Sequence, residues 1–181
     1  AELTRFIGPP LRGTFAELLA TTEAGLIADA VCAYRERFST VGLFENAVYA
    51  GIPEVLGAVR GARHRAFVVT SKPHVYARRI VDHFGLSPWL EDVFGSELSG
   101  ENTDKRDLIR VALERICVGG DRAWMIGDRG TDIAGARVNG IGAIAAAWGY
   151  GSEAELRAAR PDFTFATPTE LRAFVSAPRP R

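Results

Sequence analysis

Between Glu2 and about Arg37 the chain repeats apolar residues at steps of three and four, with Leu18, Leu19, Leu26, Ile27, Ala30, Val31, Tyr34 and Phe38 carrying the pattern. That spacing predicts helix, broken at 8–13 by GPPLRG, whose glycines and prolines interrupt a helical ladder. After STVGLFENAVYAGIP the rhythm changes to short apolar runs separated by amphipathic ones. RAFVVT (65–70), DVFGS (92–96), AWMIG (123–127), IGAIAAA (141–147) and DFTFA (162–166) read as strands. Helices are expected from Pro73 to about Phe84, from about Asp104 to Ile116, from about Thr131 to Asn139, from Ser152 and from about Pro168. Strands alternating with helices predict an α/β fold, a parallel sheet with helices on both faces. The change of rhythm divides the chain into a small helical unit, 1–46, and an α/β core domain, 47–181.

Composition narrows the partners. With 181 residues and 47% hydrophobic content, the chain can bury a core and carry a small second unit. Basic and acidic residues balance at 22 each, so no global field draws a nucleic-acid polymer or an acidic membrane surface. No apolar run has the length of a bilayer span. Cys32 and Cys117 lie far apart without metal-ligand spacing and are expected as reduced core residues of a cytoplasmic protein. The ligand is therefore recruited by local chemistry.

In an open parallel sheet, ligands bind beyond the carboxyl ends of the strands. Thr70 and Ser71 close the strand in FVVTSKP, and Pro73 suits a first helical turn. A hydroxyl beside free backbone N–H groups makes an anion cradle, or else caps the helix. Of 22 basic residues only Lys72 and Lys105 are lysines, compact ammonium charges in a chain that otherwise uses arginine. In MIGDRGTDIAG, Asp128 follows an apolar strand through Gly127, which permits a turn, and Asp132 lies one helical turn later. Such carboxylates suit a hard cation such as Mg2+, or serve the positive end of the helix. FIGPPLRG is either a loop reaching over the site or an interhelical turn.

Taken together, FVVTSKP, ENTDKRDLI, MIGDRGTDIAGARVNGI and AAWGYGSEAEL resemble the second, third and fourth motifs and the following segment of the haloacid dehalogenase-like hydrolases. The phosphoglycolate phosphatase-like branch is the nearest in pattern, with RFIGPPL resembling its cap loop. The resemblance implies a Rossmann-like core with a helical cap, Mg2+ as cofactor and a small phosphorylated metabolite as ligand. It implies that Thr70, with the Ser71 N–H, binds the phosphoryl group and that Lys105 neutralises its charge, and Lys72, placed beside the same strand end, is read as a further phosphate-binding group. Asp128 and Asp132 would hold the metal end, and Arg5 with the loop Gly8, Pro9, Pro10 and Leu11 would belong to the cap that screens substrate.

Family chemistry passes through an aspartyl phosphate formed on an Asp-x-Asp-x-Thr motif at the end of the first, central strand. None of the nine aspartates here has that context, and Asp29 falls mid-helix. The expectation is that this first strand and first motif lie outside the chain, leaving the strands that end at Thr70 and Gly127 facing a gap. Two readings stand: a Mg2+-dependent phosphomonoesterase whose nucleophile is supplied by a further segment, and a non-catalytic phosphate-binding module.

Overall fold

The computed structural model describes Phe6 and residues 10–99 and 104–177. Two helices come first, α1 (Leu11–Leu18) and α2 (Ala24–Thr40). Thr21 and Glu23 make the break between them. The Thr21 hydroxyl accepts the Glu23 N–H at 3.1 Å, and Ala20, at φ 50°, ends the first helix in the left-handed region. This turn interrupts the apolar periodicity that predicts continuous helix here, and of the predicted break at 8–13 the residues from Leu11 on are helical, α1 starting behind Pro10, whose carbonyl accepts the Thr14 N–H.

The α/β part opens with α3 (Ile52–Gly61), which the sequence pattern did not indicate. Gly51, Pro53, Gly57 and Gly61 look like breakers, yet Gly51 sits at φ 89° just before the helix, Pro53 lies in the first turn where its missing N–H costs nothing, and Gly57 and Gly61 are carried within the helix. There follow β1 (Phe67–Pro73), α4 (His74–His83), β2 (Asp92–Ser96), α5 (Lys105–Ile116), β3 (Trp124–Gly127), α6 (Gly130–Val138), β4 (Gly142–Ala146), α7 (Glu153–Ala159), β5 (Phe163–Phe165) and α8 (Pro168–Ser176).

All strand pairs are parallel, but they form two sheets. One is β1–β2, with Val68 opposite Val93; the other is β3–β4–β5, with Ile126 opposite Ile144. No ladder joins β1 to β3. In β4, alternate residues serve opposite faces, as a strand covered on both sides requires. Ala143 and Ala145 meet Ile109, Ile133 and Leu156 from α5, α6 and α7, while Ile144 meets Val55 and Leu171 from α3 and α8. Val69 of β1 and Met125 of β3 pack against the first of these clusters, so one apolar core underlies both sheets. By contrast, Trp124 and Ile126 of β3 remain 36% and 39% exposed.

Helix α2 meets α4 through Phe38 against Tyr76, ring centroids 5.7 Å apart, and Arg79 donates to the Ser39 carbonyl at 2.8 Å. Cys32 and Cys117, expected in the core, are both exposed. Cys32 directly follows the buried Val31 in α2 and so falls on the exposed side of that helix, and Cys117 is the left-handed residue (φ 53°) that ends α5. No helix among the described residues is long and apolar enough to cross a membrane.

Candidate active site

The carboxyl ends of β1 and β3 are joined by side chains rather than by a ladder. Lys105, first residue of α5, donates from Nζ to the Val69 carbonyl at 2.8 Å and lies 3.1 Å from Asp132 Oδ1. The Lys105 and Asp132 side chains are only 11% and 8% exposed. The other Asp132 oxygen, Oδ2, accepts the Arg129 N–H at 3.1 Å. Upstream, Asp104 holds the start of α5 by accepting the Arg106 N–H at 2.8 Å. The Arg106 side chain and N–H hold the Asp104 carboxyl at about 2.

Gly127 has a steric reason to be glycine. A Cβ there would coincide with the Asp132 Cβ and Oδ2, so the absent side chain is the space into which Asp132 packs. Tight turning, the reason expected from sequence, is not what the position requires: Gly127 is absent from the positive-φ glycines.

At the end of β1, Thr70 Oγ1 accepts the Lys72 N–H at 3.1 Å, and buried Ser96 donates to the Ser71 carbonyl at 2.8 Å. The pairing of β1 with β2 shifts between Thr70 and Pro73. This irregularity presses Ser71 and Lys72 toward β2, where a Cβ on Gly95 would lie 2.6 Å from the Lys72 carbonyl. The Lys72 ammonium sits 4.6 Å from the Phe38 ring centroid, and burial lowers its pKa below the usual lysine value. Lys72 thus faces α2.

Asp128 leaves the end of β3 and is enclosed by the segment after β4. Its Oδ2 accepts the Tyr150 N–H at 2.8 Å, and Cβ atoms on Gly149 or Gly151 would overlap Asp128 atoms. A cavity of ≈430 Å3 beside it is lined by Tyr49, Ile126, Trp148 and Tyr150 among others. Burial, with Tyr150 and Asp128 close by, raises the Tyr49 hydroxyl above its usual pKa.

The structure thereby brings Lys105 and Asp132 into contact, places Thr70, Ser71 and Lys72 at the end of β1, and sets Asp128 at the end of β3. Pro10 is exposed at the start of α1. Arg5, Gly8 and Pro9 lie outside the described residues. Sequence reasoning missed Glu155, whose Oε1 accepts the Gly130 N–H at 2.7 Å and Arg129 Nε at 3.0 Å. Its only sequence signal was its place in the quoted GSEAEL.

A magnesium ion needs hard oxygen donors and commonly takes one or two protein carboxylates, with water and phosphate oxygens completing its shell. Asp128 fits, since Oδ1 has no protein donor among the described residues. Both oxygens of Asp132 are already engaged, by Lys105 and by the Arg129 N–H.

The family model for haloacid dehalogenase-like hydrolases matches residues 1–146. A 5'-nucleotidase of Pseudomonas aeruginosa is 44% identical over 98% of this chain and 80% of its own length. A tyrosine-protein kinase of Mycobacterium tuberculosis is 34% identical over 82% of this chain, which spans 50% of that protein. Among solved structures, a predicted phosphatase from Clostridium acetobutylicum superposes with a TM-score of 0.89 at 35% identity, covering 96% of this chain and 80% of that one. The chain thus belongs to the haloacid dehalogenase-like hydrolase family, and its parallel α/β architecture is that of the phosphatases in it.

Proposed function

We propose that this chain supplies the phosphate-binding and metal-binding parts of a Mg2+-dependent, phosphoglycolate phosphatase-like phosphomonoesterase acting on a small phosphorylated metabolite in the cytoplasm. The observation that carries the reading is the Lys105 ammonium, held between the Val69 carbonyl of β1 and Asp132 of α6. A charge fixed there in a site of low exposure stabilises a phosphoryl group without reorganising during reaction. Thr70 and the Ser71 N–H orient phosphoryl oxygens, Asp128 provides the hard-oxygen donor, and Asp132 holds Lys105 in place. Lys72, drawn toward α2, meets the part of the substrate nearest the helical unit. Magnesium, when bound, supplies charge neutralisation at the phosphoryl oxygens.

The nucleophile belongs to a further parallel strand between β1 and β3. The half-exposed Trp124 and Ile126, and the lack of a β1–β3 ladder, support that placement. An aspartate on it would attack phosphorus, releasing the alcohol, and water would then hydrolyse the aspartyl phosphate to free phosphate. The chain as written does not complete that cycle alone. The balanced charge of the chain supports a small ligand over a polyanion.

The test is release of inorganic phosphate by the protein purified from its native source. Intact mass is read alongside, and the substrates are phosphoglycolate, nucleoside 5'-monophosphates, pyrophosphate and sugar phosphates, each with and without magnesium. A mass above the 19.6 kDa of this chain together with Mg2+-dependent hydrolysis of one class is the expected result. A native protein of this mass that binds phosphate without turning it over would replace the proposal with the non-catalytic module.

A further inference from the structure

Helix α6 begins beside Asp128, and the peptide groups at its start need acceptors. Two carboxylates provide them. Asp132 takes the Arg129 N–H from within the helix, and Glu155, from α7 and 25 residues downstream, takes the Gly130 N–H at 2.7 Å. Glu155 Oε1 also accepts Arg129 Nε at 3.0 Å, so one oxygen holds both the peptide and the side chain that follow Asp128. The fit is close: a Cβ on Gly130 would come within 3.2 Å of Glu155 Cγ and 3.4 Å of its Oε1.

The segment that leads into α7 grips Asp128 from the opposite side. The Tyr150 N–H binds Asp128 Oδ2, Gly151 packs on the Asp128 carbonyl, and Ser152 starts the helix by accepting the Glu155 N–H at 3.1 Å. Residues 149–155 therefore fasten the 128–130 turn at both ends, with Tyr150 before it and Glu155 after it. Rotating the Asp128 carboxylate breaks its bond to the Tyr150 N–H, and shifting the backbone that carries it breaks the Glu155 contacts to Arg129 and Gly130.

We propose that Glu155 is a positioning residue for the cation site: by fixing Arg129 and Gly130 it sets the aim of the Asp128 carboxylate and thereby the affinity for a divalent cation. The proposal rests on the reading of Asp128 as the metal-binding carboxylate. Groups that orient a ligand without touching the metal commonly change affinity by about 10- to 100-fold when removed. Because Asp132 and Glu155 already occupy the Arg129 and Gly130 N–H groups, those donors are closed to the substrate phosphate, which is left to Thr70, Ser71 and Lys105.

The experiment follows thermal unfolding of the native full-length protein during a magnesium titration, a readout that needs no turnover. Glu155→Ala and Glu155→Asp should each raise the half-saturating magnesium concentration about tenfold. The aspartate keeps the charge but is one methylene too short to reach Gly130. Glu155→Gln, whose amide oxygen still accepts the Gly130 N–H, should remain within about threefold of wild type. Glu153→Gln, on the same helix and paired with Arg157, should leave the titration unchanged. An unaltered titration in Glu155→Ala, or in Glu155→Asp if the alanine variant does not fold, overturns the proposal while leaving the magnesium site standing. A wild-type protein with no magnesium response overturns the metal reading itself, and the role of Glu155 with it.

Discussion

Lys105 and Asp132 form an ion pair of 3.1 Å in which each partner has a second contact, Lys105 to the Val69 carbonyl and Asp132 to the Arg129 N–H. The pair ties α5 to α6 and both to the end of β1. Removing one member of such a buried pair strands the other charge, at a cost of about 3–5 kcal/mol, whereas replacing both with apolar residues of similar volume is often near neutral. Lys105→Met and Asp132→Leu should each lower urea-unfolding stability by that amount. The double variant should recover most of it. Phosphate release, tested in the native full-length protein, should fall at least about a hundredfold in every variant lacking Lys105. Strict additivity of the two stability losses would show that the pair is not coupled.

Gly127→Ala forces a Cβ into the volume of the Asp132 side chain. Overpacking of this kind costs about 1–3 kcal/mol. Displacing Asp132 also loosens Lys105 and Arg129. Chemical denaturation should register the loss, and a crystal structure of the variant should have Asp132 moved away from Lys105. Wild-type stability would mean that the backbone gives way more easily than the packing suggests.

Asp104 has its pKa lowered from 3.8 to about 2 by the Arg106 side chain and N–H. The folded value lies below the unfolded one, so the charged cap stabilises fully above 3.8 and its contribution disappears as pH falls through about 2. Asp104→Ala should therefore melt below wild type at pH 7, with the gap narrowing between pH 4 and pH 2. Melting temperatures across that range decide the matter; a gap independent of pH would assign the effect to helix propensity instead.

Lys72 carries the opposite sign. Burial depresses its pKa from 10.5, so the folded state disfavours the charged form at neutral pH and is relieved as pH rises past the depressed value toward 10.5. Lys72→Met should raise the melting temperature at pH 7 by about 2–4 °C. That advantage should shrink in alkaline solution while the KM for an anionic substrate rises. A variant less stable than wild type would identify the contact with Phe38 as the larger effect.

How much of this was legible in the sequence depends on the range of the interaction. β2 was legible to the residue, because the apolar pair Val93–Phe94 and Gly95 form a short run bounded by the acidic Glu91 and Glu97. α5 was legible within one residue through its Asp104 start. α3 was not, since Gly51, Pro53, Gly57 and Gly61 read in sequence as breakers although Gly51 and Pro53 stand at the start of the helix and the other two are tolerated inside it. Lys105 and Asp132 stood out by type and spacing, but their mutual contact is a property of how α5 and α6 pack. Glu155 was invisible as a partner of Gly130 because helix α6 and strand β4 separate them along the chain. Cys32 and Cys117 were misplaced because residue type was allowed to decide burial where position in the helix decides it.

The open side of β3 also bears on assembly. Lys105 links Val69 of β1 to Asp132 of α6, which packs against Gly127 at the end of β3, so a strand entering between β1 and β3 in parallel would deliver its last residues beside Thr70 and Asp128. Closing the sheet and completing the catalytic group would then be one event. Onset of phosphate release during refolding would time the arrival of that strand, and a misregistered insertion would be silent even though the rest of the fold had formed.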